Sequence, residues 1–371
     1  MEKYSKREYM IFLLSVALVA LALWFFLSPK TSAKYLEFME LPGDQGYSVT
    51  GLSSEFPDTE VIIPEKYKGK PVVMIGDYAF ENCKNLQSVI IPDTVKTIGK
   101  RAFSGCTNLN NVDFGQGLEA IGKYAFEGCE RLIEIRFPQT LKTIEDRAFY
   151  DGNLAQLSLP TQLSYIGEEA FANNDLIGEL IIPDSVVFIG SRAFCDITTL
   201  RSVKLPAKLK ELNDALFSGC VALEKITFPA SLQIIGEYAF SGCKSLKTIS
   251  FPDSLTTIGA GAFLCCESIK SILLPDSLCT IGRSAFADCT ALESVEIKEG
   301  VEEIPERCFS QCTSLNTITI PNTIVSIGWL AFYNCTSLKS IYYVGTQSQW
   351  DRIILKMDWA LGSALETVWF K

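Results

Sequence analysis

Leu246-Lys-Thr-Ile-Ser-Phe-Pro-Asp-Ser-Leu-Thr-Thr-Ile-Gly-Ala-Gly-Ala-Phe263-Leu-Cys-Cys266 is one unit of a pattern that runs through most of the 371-residue chain. Twelve phenylalanines mark its phase: Phe80, Phe103, Phe126, Phe149, Phe171, Phe194, Phe217, Phe240, Phe263, Phe286, Phe309 and Phe332, spaced by 23 residues except for a single 22 between Phe149 and Phe171. Self-similarity at a fixed period signals a repeat architecture before any secondary structure is assigned. Ile249 and Phe251 alternate with period 2, as in a short strand with one buried face, and Pro252 ends that strand by removing a ladder donor. The Ile-Gly pair reads as a tight turn, and Ala-Phe-x-x-Cys as one helical or 3-10 turn on the opposite side. A coil this small cannot bury its own apolar face, so neighbouring coils must stack, strand beside strand. The expected fold is an α/β solenoid: twelve coils of about 23 residues, a parallel β-sheet on one face and short helical or 3-10 turns on the other.

The unit Leu-x-x-Ile-x-Ile-Pro-x-x-Leu-x-x-Ile-Gly-x-x-Ala-Phe-x-x-Cys resembles the BspA-type (treponemal class) leucine-rich repeats of bacterial cell-surface proteins, over about residues 61 to 343. Tyr47-Ser-Val-Thr-Gly51 with Val61-Ile-Ile-Pro64 resembles the leading segment of such chains, and Tyr342-Tyr-Val-Gly-Thr-Gln-Ser-Gln-Trp350 their closing segment. The resemblance implies adhesion or partner recognition at a cell surface and names no ligand. Departures are local: Glu145, Asn213 and Pro305 replace the turn glycine, and Leu216 and Cys308 replace the alanine before phenylalanine. The expected organisation is a capping segment over 46–75, the repeat solenoid over 76–343 and a C-terminal cap over 344–371. Within that cap Thr346 is placed to N-cap a helix carrying Trp350, Ile353, Ile354 and Met357, and Val368-Trp-Phe370 to add a last strand. The tryptophans are expected to plug the last coil rather than to form a carbohydrate platform.

Ahead of the repeats, residues 10–27 read MIFLLSVALVALALWFFL, eighteen positions without a charge. As a helix that stretch would span about 27 Å, close to the thickness of a bilayer core. Lys3, Lys6 and Arg7 precede it and Trp24, Phe25 and Phe26 close it, which orients a transmembrane signal-anchor with residues 1–9 in the cytoplasm and everything after Ser28 outside. The alternative is a cleaved secretory signal with Thr31-Ser32-Ala33 at its cleavage site; the apolar run is longer than such signals use. Both readings export the repeats. Residues 28–45 read as a short stalk.

Composition excludes several classes of function. The net charge of −10 offers no attraction to a phosphate backbone, so nucleic acid is not an expected partner. The chain contains no histidine, which removes Ser-His-Asp and Cys-His machinery. A carboxylate pair such as Asp113 and Glu134 stays open for glycoside chemistry, but no catalytic cluster emerges, and the expectation is a non-enzyme without cofactor.

Nine of the thirteen cysteines fall three residues after a repeat phenylalanine: Cys83, Cys106, Cys129, Cys220, Cys243, Cys266, Cys289, Cys312 and Cys335. A small hydrophobe with a weak S–H donor suits a buried turn whose carbonyls need partners, and Asn174 in the same phase fits that role. Disulfides and a metal are the alternatives. Side chains in one column point in parallel, which favours free thiols, and the C-x-x-C pairs a metal site wants are missing. The ladder is interrupted at Gly152, Asn174 and Ile197, beside the 22-residue repeat.

The strand residues between inward positions are expected to face a concave sheet, where extended solenoids bind their partners. Asn111, Asp113, Glu134, Arg136 and Lys204 form its most polar stretch and are the candidate ligand-binding residues. The reading that follows is a monomeric, membrane-anchored recognition surface for a protein or glycan, with a passive surface coat as the alternative.

Overall fold

The computed structural model describes residues 32–371. They form a parallel β-solenoid of about 14 turns with almost no helix. The Ile-x-Ile segments supply one ladder of short strands, such as Ser271–Leu273 beside Ser294–Glu296 and Thr317–Pro321. The residues just before each turn glycine supply a second, in which Thr97–Ile98 pairs in parallel with Ala120–Ile121 and that with Thr143–Ile144. Where the strands pair, residues lie opposite their counterparts one repeat later, as Thr97 faces Ala120 and Ser271 faces Ser294, and the first ladder is interrupted between Asp113 and Glu134 and between Ser158 and Gly178.

The interior is set by that register. All twelve repeat phenylalanines are between 0 and 2% exposed. Their rings stack coil upon coil, from 4.9 Å between the Phe80 and Phe103 centroids to 5.9 Å between Phe194 and Phe217. The strand spacing of roughly 5 Å in a sheet therefore becomes the ring spacing of the core. Phe114, Phe228 and Phe251 meet this column edge-on, filling the space beneath the first ladder.

The expected α/β character does not hold: among the described residues the repeats carry, opposite the sheet, a third, non-regular ladder in place of helical turns. In the segment from Gly76 to Cys83, the amides of Tyr78, Phe80 and Asn82 donate to carbonyls of the next coil, at Lys100, Ala102 and Ser104. The alternate amides of Ala79, Glu81 and Cys83 close local turns on Gly76, Tyr78 and Phe80. A helix would consume every amide within the coil; here half of them tie one coil to the next. The alternation requires two left-handed residues per coil, for example Tyr78 (φ 62) and Asn82 (φ 58), or Arg101 (φ 54) and Gly105 (φ 71). Left-handed backbone interrupts any helix of L-residues.

The expected twelve coils become about 14 because both flanks coil as well. At the front, Tyr47–Leu52 pairs in parallel with Lys70–Ile75 and is covered by Leu36–Glu40 in antiparallel pairing. Part of the expected stalk is thus folded onto the first coil, with Leu36 buried. At the back, Ile354–Leu355 extends the second ladder beyond Ser326–Ile327, and Thr367–Phe370 extends the first beyond Ser340–Val344. Thr346 does cap a helix through a reciprocal pair of bonds with Gln349, but the helix covers only Gln347–Trp350, and Ile354 lies on a strand. Trp350 packs edge-on against Tyr343 and Trp359 edge-on against Phe332, closing the last coil, whereas Trp369 remains exposed.

Among the described residues no helix is long and apolar enough to cross a membrane. The transmembrane helix expected at residues 10–27 lies outside the described residues, as do 1–9 and the start of the stalk.

Candidate functional site: the outward sheet face

The first ladder positions the candidate residues by strand alternation. In Asn111–Asp113 and Glu134–Arg136 the central Val112 and Ile135 are buried and the flanking residues exposed. Asn111 Nδ2 donates to Ser88 Oγ at 3.1 Å, one coil back. Arg136 Nε donates to Glu134 Oε1 at 2.9 Å along the same strand. Glu134 and Arg136 also border a cleft of about 390 Å³ completed by Gln156, Ser158 and Gln139. Asp113 belongs to the preceding strand, on the same outward face.

Lys204 is not part of this group. It lies opposite Ile181 on one side and Thr227 on the other, three coils after Arg136. At about 4.8 Å per coil that separation is roughly 14 Å. The exposed Ile181 interrupts the polar column between them. Asn111, Asp113, Glu134 and Arg136 therefore form one patch, and Lys204 an isolated cation.

Asp113 and Glu134 are both exposed to solvent, and Glu134 is engaged by Arg136. A glycosidase pair works by placing its two carboxyls in contrasting environments, one of them dry. That contrast is not built here. Among the described residues no group of His, Cys, Asp and Glu side chains could hold a metal ion.

The thiol ladder has the hydrogen bonds its spacing implies. Cys106 Sγ donates to the Phe80 carbonyl at 3.0 Å, Cys266 to Phe240 at 3.2 Å and Cys335 to Phe309 at 3.0 Å, always to the phenylalanine one coil back. All thirteen cysteines are free. Burial pushes the thiols of Cys106 and Cys335 up to about 12. Groups held protonated so far above neutrality are neither nucleophiles nor metal ligands. Of the four cysteines off the ladder, Cys195 and Cys308 are buried, Cys265 is half-buried and Cys279 is exposed.

The sequence left the second ladder's outward positions unassigned because they were read as turn. Phe188 stacks on Tyr165 at 5.0 Å there, beside the exposed Val187. A cleft of about 320 Å³ bounded by Lys208 and Lys210 adjoins them. The signal was present, since Tyr165 and Phe188 occupy one phase of adjacent repeats.

Stacked parallel coils around a single phenylalanine column, with a solvent-facing sheet, define a repeat solenoid of the leucine-rich type. The family model for the BspA type leucine rich repeat region matches residues 73–178, 174–293 and 245–353. The chain belongs to that family. It is similar to a leucine-rich repeat protein from Bacteroides ovatus, with 29% identity and a TM-score of 0.65, over 90% of this chain and 89% of that one. It is also similar to a leucine rich cell surface protein from Faecalibacterium prausnitzii, with 27% identity and a TM-score of 0.50, over 86% and 96% of the two chains. The pneumococcal vaccine antigen PcpA, at 20% identity and a TM-score of 0.53, covering 90% and 97%, shares the fold. No curated protein matches in sequence.

Proposed function

We propose that this chain is a non-enzymatic recognition protein held outside the cell membrane, presenting the first-ladder face to a protein or glycan. The single observation that carries this reading is the division of labour within each strand. Inward residues such as Val112 and Ile135 are buried and apolar, while outward neighbours such as Asp113, Glu134 and Arg136 make few bonds to the rest of the fold. A scaffold with a fixed core and freely variable outward positions is how solenoids generate binding surfaces. The F. prausnitzii relative is a cell surface protein by its own description. In this reading residues 10–27 tether the solenoid to the bilayer as a single monomeric unit, and the net charge of −10 offers no attraction to nucleic acid.

The test is an array of extracellular-matrix proteins and surface glycans probed with the full chain and with Arg136→Glu and Lys204→Glu. Saturable binding to one component, weakened by Arg136→Glu and little changed by Lys204→Glu, is the expected result. Binding indifferent to both would refute the assignment of this face.

A further inference from the structure

We infer that the turn ladder carries a second binding site, an aromatic-walled trench between Tyr238 and Trp329 that takes a linear, neutral carbohydrate chain. The trench arises from residue size at two phases of the repeat. In the N-terminal half these phases are filled: Tyr124, Arg147 and Tyr150 make a ridge in which the Arg147 guanidinium sits 4.9 Å from the Tyr150 ring and 5.9 Å from Tyr124. Further along, the Tyr238 ring lies over Gly261, and beyond it the same phases carry Ser284, then Ala287 and Ser310. Bulk returns with Arg307 and Leu330 in the first phase and Tyr333 in the second, and Trp329 stands one residue ahead of the first. The result is a cleft of about 590 Å³ with Tyr238 and Leu264 at one end and Trp329 and Tyr333 at the other.

Five observations specify the ligand. Tyr238 and Trp329 are 40% and 39% exposed, and Arg307 stacks 5.0 Å from the Trp329 ring, which fixes its plane. Fixed, half-exposed aromatic rings at the ends of a polar floor suit the apolar faces of sugar rings. The floor provides hydroxyls, an amide and a carboxyl from Ser284, Ser310, Gln311 and Asp288, the complement of sugar hydroxyls. An extended peptide would need a free backbone edge, and none lies here: the amides of Tyr238, Gly261, Ser284 and Arg307 all donate to the following coil. The charges along the trench balance, with Arg283 and Arg307 against Asp288 and Asp358, so an anionic chain gains little. From the Tyr238 ring, which lies over Gly261, to Trp329 the trench crosses three coil spacings, roughly 14 Å, which fits a short chain rather than a single sugar.

This site does not depend on the first-ladder reading, because the two sets of residues lie on different ladders. The test is affinity electrophoresis of the full chain through gels containing xyloglucan, galactomannan, mixed-linkage β-glucan or, as the anionic comparison, polygalacturonate. Retardation by at least one neutral polysaccharide is expected, weakened about tenfold by Trp329→Ala. Ser284→Tyr should abolish it by filling the trench. That substitution preserves the fold, because Tyr78, Tyr124 and Tyr238 occupy the same phase at φ 62, 60 and 55, against 55 for Ser284. No retardation in any neutral gel, retardation confined to polygalacturonate, or equal retardation of wild type and Ser284→Tyr would each overturn the inference.

Discussion

Removing the Asn174 side chain should destabilise the solenoid where its cysteine ladder is broken, and the structure sets the magnitude. Asn174 is 2% exposed. Its Nδ2 donates to the Phe149 carbonyl at 2.7 Å, the bond a ladder thiol would make, and to the Phe171 carbonyl at 3.0 Å. Ile197, one coil on, has no donor for Phe171, so Asn174 serves that carbonyl as well. Its Oδ1 accepts from the Leu154 amide at 2.9 Å. Asn174→Ala leaves the Leu154 amide and the Phe149 and Phe171 carbonyls without their side-chain partner, and with each orphaned buried group costing about 1–3 kcal/mol the loss should be about 3 kcal/mol or more. Asn174→Cys should recover only part, since a thiol can reach Phe149 but is a poor acceptor for Leu154. Gly152 belongs to the same device, because a Cβ there would stand 2.8 Å from Asn174 Oδ1. Gly152→Ala should therefore be costly in the wild-type background and nearly neutral beside Asn174→Ala. Urea denaturation gives the energies, and hydrogen exchange of the 150–156 peptide reports the Leu154 amide directly. A cost below about 1 kcal/mol for Asn174→Ala, or full stability in Asn174→Cys, would refute the reasoning.

Phe240 lies between Phe217 at 5.7 Å and Phe263 at 5.3 Å with no exposure, so Phe240→Ala should cost about 3–5 kcal/mol in urea denaturation. Thiol labelling of the native chain should modify Cys279 rapidly, Cys265 more slowly and the buried ladder only on unfolding, as read by mass spectrometry of the labelled peptides. Buried thiols also set an alkaline limit. Cys106, Cys195 and Cys335 are raised from 9.0 to about 12, so their contribution is complete below pH 9 and is lost as pH rises toward 12, where the unfolded chain ionises first. Each such thiol should steepen the loss by about 1.4 kcal/mol per pH unit, and Cys106→Ala should flatten the pH profile of the urea midpoint between those limits. Glu169, nearly buried, pairs with Arg147 and with Arg192 at 2.8 Å, and Glu169→Ala should destabilise by only about 1 kcal/mol in the same assay, because both guanidinium groups it leaves behind reach solvent.

The stacking of coils was legible in the sequence because a period of 23 leaves no other way to bury twelve phenylalanines. The thiol-to-carbonyl bonds were legible as well, through Asn174 standing in phase with cysteine. The turn segment was misread as helical because Ala-Phe-x-x-Cys has the i, i+3 spacing of a helical turn. A contrary signal stood two residues after each phenylalanine, where Asn82, Gly105, Gly128, Asp151 and Asn173 begin a run of left-handed positions. Glycine, asparagine and aspartate are the residues that tolerate that backbone. The companion left-handed position gave no such signal, since it carries Tyr78, Arg101, Tyr124 and Arg147, whose backbone is imposed by the bonds to the next coil. The candidate patch was legible as a face but not as a cluster: alternation placed Asp113, Glu134 and Arg136 outward, while Lys204's isolation depends on counting coils along the stack. The trench was hidden because it is defined by small residues, which a search for chemical groups passes over.

Far-UV circular dichroism of the full chain tests most directly whether the coils are joined by amides reaching from turn to turn. A spectrum dominated by strand and turn, with only a slight helical contribution, is the predicted result. A pronounced double minimum at the strength twelve helical turns would produce would contradict it.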